Sequence, residues 1–146
     1  MNEELVKALK IAFSSEFSYY LKAHFFHWNV EGPNFPQYHG SLFQNIYSEV
    51  YDSIDDFAEN IRKLGSYTPG SYTRLSMLSQ IDDETQVPPA PAMIEELLTD
   101  GEKIVKILKM VYDLAEQAGK HGLSNFLAER MDAHEKHNWQ LRATLK

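Results

Sequence analysis

Two histidines and two carboxylates carry the chemistry of this chain. His27 and His39 stand twelve residues apart, and Asp55 and Glu59 follow at a spacing of four. That spacing puts both carboxylates on one face of a helix, where they can clasp a cation together. Imidazole with carboxylate is a donor set suited to iron or zinc. On a continuous helix, the 16 residues from His39 to Asp55 place the two groups roughly 24 Å apart at a rise of 1.5 Å each. No single metal ion spans that gap. Either the two pairs are unrelated, or a site is built from two copies of the chain, antiparallel across a two-fold axis.

The plainer alternatives are a pair of satisfied polar histidines and a solvated acidic face, the latter supported by Asp52 and Asp56 nearby. Against them stands the aromatic setting. Phe25, Phe26, Trp28, Tyr47 and Tyr51 interleave the polar groups, so a carboxylate turned inward here is desolvated and must be paired, protonated or metal-bound. His24 precedes His27 by one turn, on nearly the same face.

Long helices are needed to position these groups, and the periodicity is helical throughout. Leu5, Leu9, Ala12, Tyr19 and Ala23 predict a first helix over 3–30, broken by Gly32-Pro33 and Pro36. Leu42, Ile46, Val50, Ile54, Phe57, Ile61 and Leu64 predict a second over 37–64, with Gly65 as its C′ residue. Residues 65–92 are punctuated by Gly65, Pro69, Gly70, Pro88, Pro89 and Pro91, with room for a short helix over 73–80. A connection of this length runs the length of a bundle, as a crossover does. A third helix follows over 91–118 and, after Gly119 and Gly122, a fourth over 123–144. The expected fold is all-α: a ferritin-like four-helix bundle with a long crossover carrying a short extra helix, in one domain spanning 1–146.

Composition narrows the chemistry. The chain has 146 residues, no cysteine and a formal charge of −7. Disulfides, zinc–thiolate sites and thiol catalysis are excluded. The start has no basic and apolar leader, and no apolar run is long enough to span a membrane, so the expectation is a cytoplasmic protein. An acidic surface favours cations and repels nucleic-acid phosphates.

These residues together resemble the Dps (DNA protection during starvation) mini-ferritins. The resemblance rests on His27-Trp28-Asn29-Val30-Glu31-Gly32, Phe35, His39, Asp55-x-x-Ala58-Glu59 and Leu64-Gly65. Thr73-x-x-x-Met77-Leu78-Ser79-Gln80-Ile81 in the crossover and His134-Glu135-Lys136 with Trp139 in the last helix extend it over nearly the whole chain. It implies a dodecameric shell of four-helix subunits that oxidises Fe(II), typically with hydrogen peroxide, stores ferric iron inside and protects against oxidative stress. The implied activity is ferroxidase, an oxidoreductase acting on metal ions. The site it implies lies at a two-fold interface, with His27 and His39 from one chain and Asp55 and Glu59 from the other. Zinc is the competing metal for such ligands.

The chain departs from the family pattern in one place. An acidic ligand is usual four residues after the second histidine, where this chain has Phe43, and one extra residue lies between His39 and Tyr47. Absorbed as a π-bulge, that residue brings Gln44, a neutral and weaker ligand, to the acidic position. His24 or Glu49 are candidate replacements. Three rival readings follow. One is a non-catalytic shell with a degraded site. Another is a di-iron protein with its metals inside one bundle, for which Glu-x-x-His is missing and His134-x-x-His137, read as an interface or solvent-facing pair, is the nearest approach. The last is a DNA-compacting Dps, disfavoured by the acidic charge and the lack of a basic tail.

Overall fold

The computed structural model describes residues 2–146 and is helical along nearly its whole length, with no strand among the described residues. Asn2 caps α1 (Glu3–Asn29): its side-chain oxygen accepts the Leu5 N–H at 3.1 Å, and Glu3 and Glu4 occupy the first turn. Both features satisfy or complement the exposed N–H groups of a helix start. A short turn α2 (Phe35–Gln37) and a π-helix (Tyr38–Phe43) lead into α3 (Gln44–Lys63). α4 (Tyr72–Leu78) lies in the connection to α5 (Ala90–Gln117), and α6 (His121–Leu145) follows. The four long helices and the short crossover helix stand within a few residues of the predicted spans.

The exception is informative. The span predicted as one helix over 37–64 opens with six residues of π-helix, whose i→i+5 bonding accommodates an extra residue without breaking the axis. The insertion between His39 and Tyr47 is thus absorbed locally. Phe43 turns fully into the core while Gln44 is exposed.

α1 packs against α3 and α5, α5 packs against α6, and α4 crosses α1. The shared core draws Leu9, Tyr19 and Phe26 from α1, Ile46, Val50 and Phe57 from α3, Leu97 and Leu108 from α5, and Leu127 and Leu141 from α6. Each such side chain contributes about 1.5–3 kcal/mol by leaving water. α5 and α6 approach so closely at Gly101 that an added Cβ would stand 2.1 Å from Asn138 Oδ1. Lys22, only 5% exposed, ties α1 to α5 through Glu96 at 3.0 Å and Asp100 at 2.8 Å. The crossover is strapped down in turn. Its Gln80 N–H donates to Ser15 Oγ at 2.9 Å, and Lys103 donates to the Gln80 carbonyl at 3.2 Å. Gly65, at φ +91°, ends α3 in the left-handed conformation that favours glycine.

Candidate metal site

His27 lies in the last turn of α1 and His39 in the π-helix, so the short 30–38 connection folds one against the other. Their rings stack at 3.9 Å with planes 13° apart. The backbone locks the pair reciprocally: His27 Nδ1 meets the His39 carbonyl at 2.6 Å, and His39 Nδ1 meets the His27 carbonyl at 2.7 Å. A carbonyl oxygen only accepts, so each Nδ1 carries the proton. In the neutral rings both Nε2 lone pairs are therefore free. Fixing the tautomer through the far nitrogen is how proteins prepare imidazole for a metal. Aromatic rings hold the pair from both sides, with Phe35 stacked on His39 at 4.9 Å and Tyr47 against His27 at 4.9 Å.

Asp55 and Glu59 stand exposed on α3, one turn apart on the same face. Eleven residues of that helix separate Asp55 from Gln44 at its start, roughly 16 Å along the axis. Among the described residues, no group of three or more histidines, aspartates and glutamates is placed to hold a metal. One chain thus carries two stacked imidazoles and, well apart from them, two carboxylates on one helical face. Trp28, against His24, and Tyr51, against Tyr20, are each 57% exposed, large aromatic surfaces of the kind a second subunit covers.

Residues 6–146 match the ferritin-like domain family. A DNA protection during starvation protein of Brevibacillus brevis is 32% identical over 127 residues, covering 87% of this chain and 85% of that protein. The structure of Dps from Staphylococcus aureus superposes with a TM-score of 0.93 at 30% identity, covering 99% of this chain and 97% of the other. Dps from Thermosynechococcus elongatus gives a TM-score of 0.95 at 26% identity, with 99% and 91% covered. The chain belongs to the Dps mini-ferritins. An iron-storage role of the mini-ferritin kind goes with that membership.

Within this Dps chain, the auxiliary candidates fare differently. Gln44 opens α3 exposed, in the position the π-helix turns outward, while Phe43 is spent on the core. His24 is half-buried in an aromatic stack, 3.8 Å from Tyr47 at 8° and 4.3 Å from Trp28, with Nδ1 held by the Tyr20 hydroxyl at 2.9 Å. Burial, then the neighbouring His27, hold its pKa below the usual histidine value, which keeps the ring neutral. Glu49 does turn inward, but its carboxylate is taken inside the bundle by Arg130 and by His137 at 2.8 Å. It is committed there rather than beside His27 and His39. Burial raises its pKa, but the hydrogen bonds from His137 and Arg130 outweigh that and hold it down at about 2.

The inward turn of Glu49 exposes what sequence reasoning missed. His134 and His137 are buried, not solvent-facing or at an interface as their spacing was read. His134 Nε2 meets Glu16 Oε1 at 2.6 Å, and both residues are fully buried. Arg130 sits between the two carboxylates. Burial would raise the pKa of Glu16, but His134 and Arg130 hold it below the usual carboxylate range. A signal for this network was present. Leu127, Arg130, His134, His137 and Leu141 recur at three and four residues, as do Leu9, Ala12, Glu16, Tyr19 and Ala23, so the polar members lie on the buried stripes.

Proposed function

We propose that this chain oxidises Fe(II) at a site formed between two copies of itself and stores the ferric product in a hollow dodecameric shell. His27 and His39, with Gln44 close by at the start of α3, serve from one subunit, and Asp55 and Glu59 serve from its neighbour. The observation that carries this reading is the pair of half-sites: two imidazoles with their Nδ1 protons tied to backbone carbonyls, and two exposed carboxylates on one helical face that cannot reach them.

The chemistry follows from the donors. Two neutral imidazoles and two carboxylates balance the charge of Fe(II) and keep open positions for an oxidant. With hydrogen peroxide as oxidant, two Fe(II) each give up one electron, and peroxide with two protons becomes two waters. Carboxylate oxygens hold the harder Fe(III) better than imidazole does, which favours passing the product towards acidic surface. Removing Fe(II) and peroxide together protects against oxidative stress. Zinc is a competitor for the same donors and is expected to inhibit. At −7 per chain the shell would repel DNA at moderate salt.

A second reading has an observation of its own. Gln44 stands exposed where a carboxylate is usual, and a site short of one charge binds iron more weakly, as a non-catalytic shell would. One experiment separates the two: Fe(II) oxidation by hydrogen peroxide in the wild-type protein, a Glu59→Ala variant and a protein-free control at equal iron. Rates above the control that collapse in the variant support the ferroxidase. Rates equal to the control leave the storage shell.

A further inference from the structure

The centre of the bundle holds a second set of metal-type donors that the interface site does not use. α1 supplies Glu16, α3 supplies Glu49, and α6 supplies His134 and His137. Both imidazoles point Nε2 at a carboxylate oxygen, His134 at Glu16 and His137 at Glu49. An ionised carboxylate only accepts, so each Nε2 carries the proton. Two glutamates and two histidines from three helices are the kind of donors that ferritin-like di-iron bundles turn inward. Here, however, Arg130 fills the middle. It bonds Glu49 through Nη1 and faces Glu16 Oε2 from Nε at 3.5 Å. Its Nη2 also lies 3.4 Å from His134 Nε2, a contact between two donors and so not a bond.

The fit is incomplete. Glu16 Oε2 and Arg130 Nε meet only as a long ion pair at 3.5 Å, and Nδ1 of both histidines is buried without a hydrogen-bond partner. The long Glu16–Arg130 contact marks the guanidinium as an imperfect fit between the two carboxylates. The charge points the same way: with neutral imidazoles, two carboxylates against one guanidinium leave one negative charge, whereas a divalent ion in the guanidinium's place would leave none. An approach exists as well, a depression of about 280 Å³ in which Glu49, Asp52, Asp56 and Glu129 surround Arg130 and attract cations.

We propose that Arg130 stands in for a metal ion: its guanidinium bridges the Glu16–His134 and Glu49–His137 pairs, which as they stand are not gathered around one ion, and keeps divalent metal out of the bundle. Arg130 is thus a specificity residue that confines metal to the subunit interface, and this holds whether or not the interface oxidises iron. A guanidinium stays charged at any working pH and cannot be chelated away. Losing it would leave two carboxylates uncompensated in the bundle, a strongly destabilising state that a divalent cation relieves.

The test uses Co(II) as probe and a His27→Ala/His39→Ala background, so that the interface does not take it up. Arg130→Ala and Arg130→Gln are made in that background, and bound cobalt is measured by dialysis and by visible absorption. The parent is expected to bind no cobalt in the bundle. Each neutral variant is expected to gain one Co(II) per chain, with histidine–carboxylate absorption and a Tm that rises on adding the metal. Adding Glu16→Gln is expected to abolish that gain. The proposal is overturned if the parent binds as much cobalt as the variants, or if neither variant binds more. It is also overturned if the gain survives Glu16→Gln, or if neither variant folds even with Co(II), because the metal then fails to replace the guanidinium.

Discussion

The separation of the two half-sites makes a quantitative prediction for mixed shells. One chain type carries His27→Ala and His39→Ala; the other carries Asp55→Ala and Glu59→Ala. Each alone should be inactive, since every site lacks half its ligands. In a two-fold pair of unlike chains, one of the two sites takes its histidines from the carboxylate-deficient chain and its carboxylates from the histidine-deficient chain, and is intact. Random assembly at equal amounts makes about half of all pairs unlike. Half the sites in those pairs are whole, so about a quarter of wild-type activity should return. The structure sets this figure because the roughly 16 Å from Gln44 to Asp55 along α3 forbids one chain from supplying both halves. The assay is the initial rate of Fe(II) oxidation by hydrogen peroxide after the two chains are unfolded together and reassembled. A mixed shell no faster than either parent refutes the intersubunit reasoning, provided wild-type chains treated in the same way recover their rate.

Three further outcomes are expected. Gln44→Glu, which adds a carboxylate on the exposed start of α3, should tighten Fe(II) binding by about tenfold, read as the iron concentration giving half-maximal rate; no change would place Gln44 outside the site. Glu49→Gln should lower stability in a pH-dependent way, because the folded carboxyl titrates at about 2 against a usual 4.5. The depressed value means that the stabilisation is full above the unfolded pKa and is lost as pH falls from about 5 towards 2. With Glu49 39% exposed, solvent screening reduces the advantage at pH 7 to about 1–2 kcal/mol. Denaturant midpoints of the two proteins at fixed concentration should converge on acidification, and a constant gap would contradict the assignment. Gly101→Ala should cost about 1–3 kcal/mol by overpacking against the buried Asn138, whose Oδ1 would stand 2.1 Å from the new Cβ. Asn138→Ala in the same chain should restore the denaturant midpoint.

The helices were legible because their signals are local. Apolar spacing and glycine and proline punctuation act within a few residues, and α1, α5 and α6 begin and end close to where those patterns change. The extra residue before Tyr47 was legible as a spacing anomaly, and the π-helix over Tyr38–Phe43 is its physical resolution. The buried network was not legible in the same way. His134 and His137 lie on a core stripe, but a stripe says only that a side chain faces inward, not which charge meets it from another helix.

By itself, then, the amino-acid sequence determined the helical bundle, the long crossover, the metal-type donors and their separation along one helix, because each depends on spacing along the chain. Only the tertiary structure decided the rest. It stacked His27 on His39 and set each ring's Nδ1–H to donate to the other residue's carbonyl, which requires the 30–38 connection to bring α1 and the π-helix face to face. It also drew Glu49 away to Arg130 and His137, 81 and 88 residues along the chain. Electrostatic partners at such separations are chosen by packing, because a half-buried carboxylate takes whatever cation the neighbouring helices place within reach.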